Sequence, residues 1–251
     1  MNWKNMWEAF ADTMSKEYYQ QLVLKGLLNT MLVAVIGLFI GILIGTIIAI
    51  VKVAPKYKFI MRFLDKVCTI YVAIFRGTPM VVQLLITYYV LLPAFGVKGV
   101  DALIVGVIVF GMNSGAYVSE IMRGGLNSID AGQMEAGRAL GLSYSTTMLR
   151  VVIPQAIKNI LPMIGNEFIS IIKETSILSF ITVCDLYTAL INYVAANKYE
   201  WIIPYIVLAL IYIVLVLFIT LLIKIMEKAL AKSDKSKNYS RKKVRQNKEI
   251  V

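Results

Sequence analysis

Two acidic residues stand inside an otherwise apolar stretch of this chain. Glu167 and Glu174 are seven residues apart, so on a helix they share one face and lie about 10 Å apart along its axis. Carboxylates in hydrocarbon are costly and tend to face a partner, a cavity or a polar pathway. Both are therefore candidates for holding the ammonium group of a substrate. Glu174 stands near the predicted end of its span, where water could solvate it instead.

Arg76 is a further charge within an apolar region, and Gly77, Thr78 and Pro79 follow it. Thr followed by Pro is typical of a helix start, which predicts a half-helix beginning here. Its free backbone N–H groups and positive dipole end, together with Arg76, would suit a carboxylate. Two alternatives stay open: Arg76 pairs with Glu167 or extends to the interface, and Gly-Thr-Pro is only a kink.

Tyr117 and Glu120 lie one turn apart in another apolar stretch and could line the same path, although Glu120 could simply pair with Arg123. A site for an amine next to a site for a carboxylate would describe a free amino acid. The sequence does not indicate which amino acid that is.

The residues for other kinds of chemistry are missing from the sequence. It has no histidine, its two cysteines are far apart, and no G-x-x-x-x-G-K-[ST] motif occurs. We therefore expect no metal site, no disulfide and no cofactor in this chain, and any ATP-Mg must be bound by a partner. A membrane enzyme using Glu167 and Glu174 as an acid and a base is an alternative with little chemistry to support it.

Composition places the chain in the membrane class. Of its 251 residues, 59% are hydrophobic and 16% charged. The net charge of +11 could indicate nucleic acid, yet ten of the 26 basic residues lie between Lys224 and Lys248. We therefore interpret this region as a local tail that faces anionic membrane lipid, and we expect the chain to bind no nucleic acid.

The apolar runs predict an all-α polytopic membrane protein with five transmembrane helices. Within the first run, Gly37, Gly41 and Gly45 would let another helix approach closely. An amphipathic external segment at 1–21 would precede the membrane domain at 22–226, and a basic cytoplasmic tail at 227–251 would follow it. The predicted spans are 22–53, about 76–92, 102–122, 156–175 and 201–226.

The basic residues fix the orientation of these spans. With five spans, the basic clusters at 52–66, 123–158 and 224–248 fall on one side, which holds nineteen Lys and Arg against four opposite. The amino terminus is then outside and the carboxyl terminus inside. A sixth span at 177–195 would break this pattern and contains Asp185, so we expect a re-entrant segment or a surface helix at the outer face.

A polar loop at 123–155 separates the third span from the fourth. Its stretch from Glu135 to Pro154 resembles the EAA loop of ABC-importer permeases, which reads E-A-A, three residues, Gly, nine residues and I-x-L-P. Glu135, Ala136, Gly141 and Pro154 match. Gly137 stands where the family has its second Ala, and Val151 and Ile153 replace Ile and Leu.

Other segments resemble the polar amino acid class of these permeases. They are Phe75 to Pro79, Gly115 to Tyr117 with Glu120, Arg123 to Gly125, Pro154 to Ala156, Asn166 to Phe168, and Lys173 to Ser176. At the last of these segments the class more often has K-D-T-S, so Glu174 stands in place of an aspartate and has a longer acidic side chain.

The resemblance implies a type I ABC importer permease fold in the cytoplasmic membrane. It also implies a second permease subunit, either another copy or a related chain, two ATPase subunits and an extracytoplasmic amino acid binding protein. Glu135, Ala136, Gly137, Leu140, Gly141 and Pro154 would couple to the ATPase, and Arg76, Thr78, Tyr117, Glu167 and Glu174 would meet the substrate. An ion-gradient-driven transporter or a channel is the alternative for a transport function.

The orientation can be tested by cysteine labelling in a cysteine-free background. Single cysteines at Ser128 and Ser236 should not react with an impermeant reagent in intact cells, whereas one at Asn197 should, because the charge bias places only Asn197 outside. The opposite labelling pattern would overturn the orientation.

Overall fold

The computed structural model describes residues 3–195 and 202–249, with side chains described as far as residue 230. Within these residues the chain forms helices and connections without a β-strand. Predictions about Asn197, Lys198 and the side chains of the basic tail lie outside the described residues. The helices are α1 (Trp3–Ser15), α2 (Glu17–Val53), α3 (Phe59–Gly77), α4 (Met80–Ala94), α5 (Ala102–Asn127), α6 (Ala131–Ala139), α7 (Tyr144–Thr147), α8 (Ile153–Glu174) and α9 (Ile202–Glu249).

Length and composition support most of the predicted spans. Three described helices are long and apolar enough to cross a membrane: α2, α5 and the part of α9 from Ile202 to Leu230. A bend of 105° joins α3 to α4, and this pair would make a fourth span. The helix α8 covers the predicted span 156–175, but charged and amide side chains interrupt its apolar run. The count of five spans therefore stays a prediction.

The glycine row of α2 packs against α5, as the sequence predicts. A Cβ added to Gly41 would lie 2.6 Å from Ser114 Oγ and 3.1 Å from the Ser114 carbonyl carbon. On the other side of the contact, Gly111 and Gly115 of α5 receive side chains from α2. Such close approach lets dispersion forces act along most of both helices. The contacts run from Gly37 with Phe110, through Gly41 with Ser114, to Gly45 with Val118.

The segment at 177–195 is part of the core. A 3-10 helix, Thr175–Ile181, and a π-helix, Thr188–Ala195, bury Leu178, Ile181, Leu190 and Ile191 almost completely. The alternative of a surface helix is therefore wrong, and the re-entrant alternative fits this burial.

Polar groups of α2 make that burial possible. Asn29 Nδ2 donates to the carbonyl of Cys184 at 2.8 Å, and the Leu186 N–H donates to Thr30 Oγ1 at 3.2 Å. Asp185 is fully buried and accepts from the Thr188 N–H at 3.0 Å. The backbone groups freed between the two short helices are thus paired, and Asp185 caps the π-helix within the protein.

The amino-terminal segment forms a helix, α1, as its aromatic spacing predicts. Trp3 and Trp7 are more than half exposed, at 53% and 55%. Its opposite side buries Thr13 and contacts α2, α9 and the π-helix. Exposed tryptophans on one side suit a membrane interface, so the interfacial position stays a prediction with a suitable surface.

Replacing Gly41 with Ala should weaken the α2–α5 contact, because the new methyl group overlaps both the side chain and the backbone of Ser114. We expect a loss of stability of about 1–3 kcal/mol, typical of overpacking, measured as a lower midpoint of thermal unfolding in detergent. Gly124→Ala is the matched control, since a Cβ there meets nothing within 4 Å. Equal midpoints for the two variants would contradict the close packing at Gly41.

Candidate substrate site and coupling surface

The break between α3 and α4 is held by two amide side chains. Gln83 Nε2 lies 2.8 Å from the carbonyl oxygen of Phe75, 3.0 Å from that of Thr78 and 2.8 Å from Thr78 Oγ1. Asn113 of α5 donates to Gln83 Oε1 at 2.9 Å and lies 3.3 Å from the Phe75 carbonyl. The carbonyls of Phe75 and Thr78, at the end of α3, are therefore satisfied from α4 and α5.

The predicted helix start at this point is confirmed, with one correction. Pro79 is the residue before the first helical turn, and α4 begins at Met80. Thr78 does not cap this helix, because its hydroxyl donates backwards to the carbonyl of Ile74 at 2.8 Å. Thr78 therefore closes the end of α3.

Arg76 points toward α5 and meets two of its residues. Its guanidinium carbon lies 5.4 Å from the centre of the Tyr117 ring, a cation–π geometry. Its Nη1 lies 3.8 Å from Glu120 Oε2. The alternative pairing of Arg76 with Glu167 is wrong, since Glu120 takes that place. The predicted pairing of Glu120 with Arg123 is confirmed, with Arg123 Nη2 at 2.7 Å.

Glu167 approaches the same part of α5 from α8. Its carboxylate lies near the hydroxyl of Ser114, whose buried Oγ has no hydrogen-bond partner among the described residues. Glu174 is the last residue of α8, is exposed, and lies seven residues, about two turns, after Glu167. The two carboxylates therefore form one acidic side of α8, as their spacing predicts.

The structure brings the predicted charges toward one turn of α5. Ser114 and Tyr117 are three residues apart on this helix and are neighbours on its surface. Glu167 approaches the first of them, and Arg76 lies over the second. An anionic group and a cationic group thus flank the same polar turn, an arrangement that could hold the two ends of a zwitterion.

Sequence reasoning missed Gln83 and Lys52. Gln83 is a lone amide in an apolar run, four residues after Pro79, and this position is the sequence feature that could have indicated its role at the helix break. Lys52 belongs to the predicted cytoplasmic cluster at 52–66, yet its Nζ lies 3.4 Å from Glu120 Oε1.

The loop that resembles the EAA motif folds into a small helical hairpin of α6 and α7. Asp130 caps α6 by accepting from the Gly132 N–H at 2.6 Å, and Ser143 caps α7 by accepting from the Thr146 N–H at 3.2 Å. Gly141 joins the two helices with a φ of +78°. This left-handed conformation favours glycine, which agrees with the predicted turn.

Gly137 explains one departure from the family pattern. It is buried against α7, and a Cβ there would lie 2.4 Å from Thr147 Cγ2. The usual alanine therefore does not fit while Thr147 occupies this space. The opposite side of α6 presents Glu135 and Ala136 to solvent, and Leu140 at its end is 81% exposed. Pro154, also exposed, is the second residue of α8, which a π-helical turn, Met148–Val152, joins directly to α7.

A groove of about 660 Å³ has none of these charged residues in its lining. Its walls come from the ends of α2 and α5 and from the start of α8, and they are almost entirely apolar. None of the predicted substrate residues lines it, so it does not bear on the choice of substrate site. Its lining includes Ile50, Val53, Met122, Met148, Ile153 and Ile160.

Comparison with known proteins decides the family. The model of the family described as "Binding-protein-dependent transport system inner membrane component" matches residues 37–232. The chain belongs to this family.

Among its relatives is the putative glutamine transport system permease protein GlnP of Rickettsia bellii (strain RML369-C). It is 39% identical over 208 residues, which cover 83% of this chain and 92% of the relative. The arginine transport system permease protein ArtQ of Bacillus subtilis (strain 168) is 38% identical over 212 residues, with 84% and 94% covered. A crystal structure of an amino acid ABC transporter with histidines superposes with a TM-score of 0.78 at 38% identity, covering 86% and 97%.

These findings confirm the type I ABC importer permease fold and the resemblance to amino acid permeases. The chain is a multi-pass permease subunit of the inner membrane and not an enzyme. Membership also implies an ATPase and a substrate-binding protein as partners. The roles of the individual site residues stay predictions.

Proposed function

We propose that this permease is the transmembrane subunit of an ATP-driven importer for an amino acid with a polar or charged side chain. The relatives named for glutamine and arginine transport support that substrate class. The single observation that carries the proposal is that Arg76 contacts Tyr117 while Glu167 lies near Ser114, one turn away on α5. A free amino acid has one carboxylate and one ammonium group for these two charges.

The proposed assembly is supported by membership of the family, which implies an ATPase and a substrate-binding protein. No phosphate-binding motif occurs in its sequence, so two partner ATPase subunits would bind ATP-Mg on the inner side. A second permease, either another copy or a related chain, would complete the pathway, and an extracytoplasmic binding protein would deliver the amino acid. Five spans, with the amino terminus outside and the carboxyl terminus inside, fit this division of sides.

Coupling to the ATPase would use the solvent-exposed side of α6, the side that faces away from α7. Because Gly137 has no side chain, Thr147 of α7 packs directly on α6, and this contact would let α6 and α7 move as one body. Glu135, Ala136 and the exposed Leu140 then form a projecting surface that suits a groove on a partner. ATP-driven closure of the ATPase subunits would shift this hairpin and, through α8 beginning at Ile153, the acidic side that holds Glu167.

Gly141→Val should uncouple or disassemble the complex. A β-branched residue is strained at a φ of +78°, which would reorient α6 even though a side chain at this position meets nothing within 4 Å. Gly141→Asn is the matched control, because Asn tolerates the left-handed region. We expect the Val variant to lose at least about tenfold in substrate-stimulated ATP hydrolysis, the effect of about 1.4 kcal/mol, and the Asn variant to keep most of it. Wild-type coupling in the Val variant would remove the loop from the mechanism.

The main experiment is uptake by the purified complex in proteoliposomes. With the binding protein outside and ATP inside, labelled L-glutamine or L-arginine should accumulate only while ATP is hydrolysed. Uptake that follows an ion gradient without ATP would favour a secondary transporter and contradict the proposal. Chemical turnover of the amino acid without accumulation would contradict it as well.

Arg76→Ala and Glu167→Gln should each weaken transport in the same assay. Each removes a charge-assisted hydrogen bond to the substrate, which is worth about 1.5–3 kcal/mol, or roughly ten- to hundredfold in apparent affinity. Glu174→Gln should affect L-arginine more than L-glutamine, because Glu174 would meet a cationic side chain. Arg62→Ala, an exposed arginine on the same helix as Arg76, and Glu8→Gln on α1 serve as matched controls. Wild-type substrate dependence in both main variants would place the pocket elsewhere.

A further inference from the structure

Three cations from three different helices surround Glu120 of α5. Arg123 Nη2 lies 2.7 Å from Glu120 Oε2, Lys52 Nζ of α2 lies 3.4 Å from Oε1, and Arg76 Nη1 of α3 lies 3.8 Å from Oε2. These four residues form the Glu120 cluster. Of these contacts, the sequence predicts only the pairing of Glu120 with Arg123, and the site described above does not use Glu120.

The three contacts differ in strength. Lys52 is well buried, with 13% of its side chain exposed, and Arg123 makes the shortest ion pair. Arg76 is the most distant cation and is 45% exposed. Lys52 and Arg123 would therefore keep Glu120 neutralised if Arg76 moved away. A carboxylate that lost its only partner in apolar surroundings would be destabilised strongly, but Glu120 avoids this.

Arg76 is also positioned to move without losing all contact. Its guanidinium lies 5.4 Å from the centre of the Tyr117 ring, three residues along α5 from Glu120 on one side and from Ser114 on the other. The ring face attracts the cation and can remain in contact while the guanidinium shifts along α5. Glu167 approaches α5 at Ser114, and Ser114 is thus one turn from the Tyr117 ring that Arg76 covers.

We propose that Glu120 is the resting counter-ion of Arg76 and competes with the substrate carboxylate for it. This inference rests on the proposed function, in which Arg76 binds that carboxylate. When the substrate arrives, its carboxylate replaces that of Glu120 beside Arg76, and when it leaves, Glu120 takes Arg76 back. Arg76 and Glu120 each keep an oppositely charged partner in both states. The competition also weakens substrate binding enough for the substrate to be released.

The competition predicts opposite effects for two substitutions in the cluster. Glu120→Gln removes the competitor and should lower the half-saturation concentration for uptake about two- to fivefold, the range of a partly exposed ion pair. Lys52→Met removes a cation that contacts Glu120 but not Arg76, so Glu120 should hold Arg76 more firmly and the half-saturation concentration should rise. The maximal rate should change little in either variant.

The probes are L-glutamine or L-arginine, whichever the wild-type complex transports, and the corresponding amine that lacks the carboxylate, 4-aminobutanamide or agmatine. Binding of the labelled amine to the complex should be the same in all variants, because it cannot compete with Glu120. The double variant Glu120→Gln with Arg76→Ala should match Arg76→Ala alone. Asp65→Asn is the matched control, since Asp65 pairs with Lys56 at 2.6 Å outside the cluster.

Opposite shifts for the amino acid, with no shift for the amine, would support the proposal. An unchanged half-saturation concentration in Glu120→Gln, an equal shift for the amine, or a gain that survives Arg76→Ala would overturn it. If Glu120→Gln fails to assemble, Lys52→Met decides alone: a rise supports the competition and an unchanged value overturns it. Failure of the proposed function is seen separately, as wild-type uptake that does not need ATP or as an Arg76→Ala variant with normal affinity.

Discussion

Backbone carbonyls freed by a break in a helix need donors, because neither lipid nor apolar side chains can supply them. In this permease the break between α3 and α4 is possible because Gln83 and Asn113 occupy it with their amide groups. That network joins α3, α4 and α5 at a single point. It also fixes where α3 ends, and therefore places Arg76 over the ring of Tyr117 and beside Glu120.

The position of α5 itself depends on α2. Because Gly41 has no side chain, Ser114 can pack directly on the α2 backbone, and the glycines on both helices repeat this contact along their length. The polar turn of α5 is thereby held on one side by a rigid helix pair, and α3 and α8 pack against α5 from other sides. A substrate pathway built this way has one fixed wall and two walls that carry the charges, α3 with Arg76 and α8 with Glu167.

The features that local sequence signals encode were predictable. Pro79 and Gly77 marked the helix break, and Gly141 marked the turn after α6, because these residue types have strong backbone preferences. The partners that complete the site were not predictable in the same way. Gln83 meets Asn113 across 30 residues of sequence, and Lys52 meets Glu120 across 68. No local pattern specifies such pairs. The sequence could not decide between a re-entrant segment and a surface helix at 177–195 for the same reason, since the backbone partners Asn29 and Thr30 lie on α2.

The central claim is that an amino acid binds on the polar turn of α5, between the break after Arg76 and the acidic side of α8. A cryo-electron microscopy structure of the assembled transporter with saturating L-glutamine or L-arginine tests it most directly. The account predicts density for the amino acid between these elements, with its carboxylate next to Arg76 and its ammonium group next to Glu167. An amino acid bound to the complex without contacting Arg76 or Glu167 in any permease subunit would contradict it.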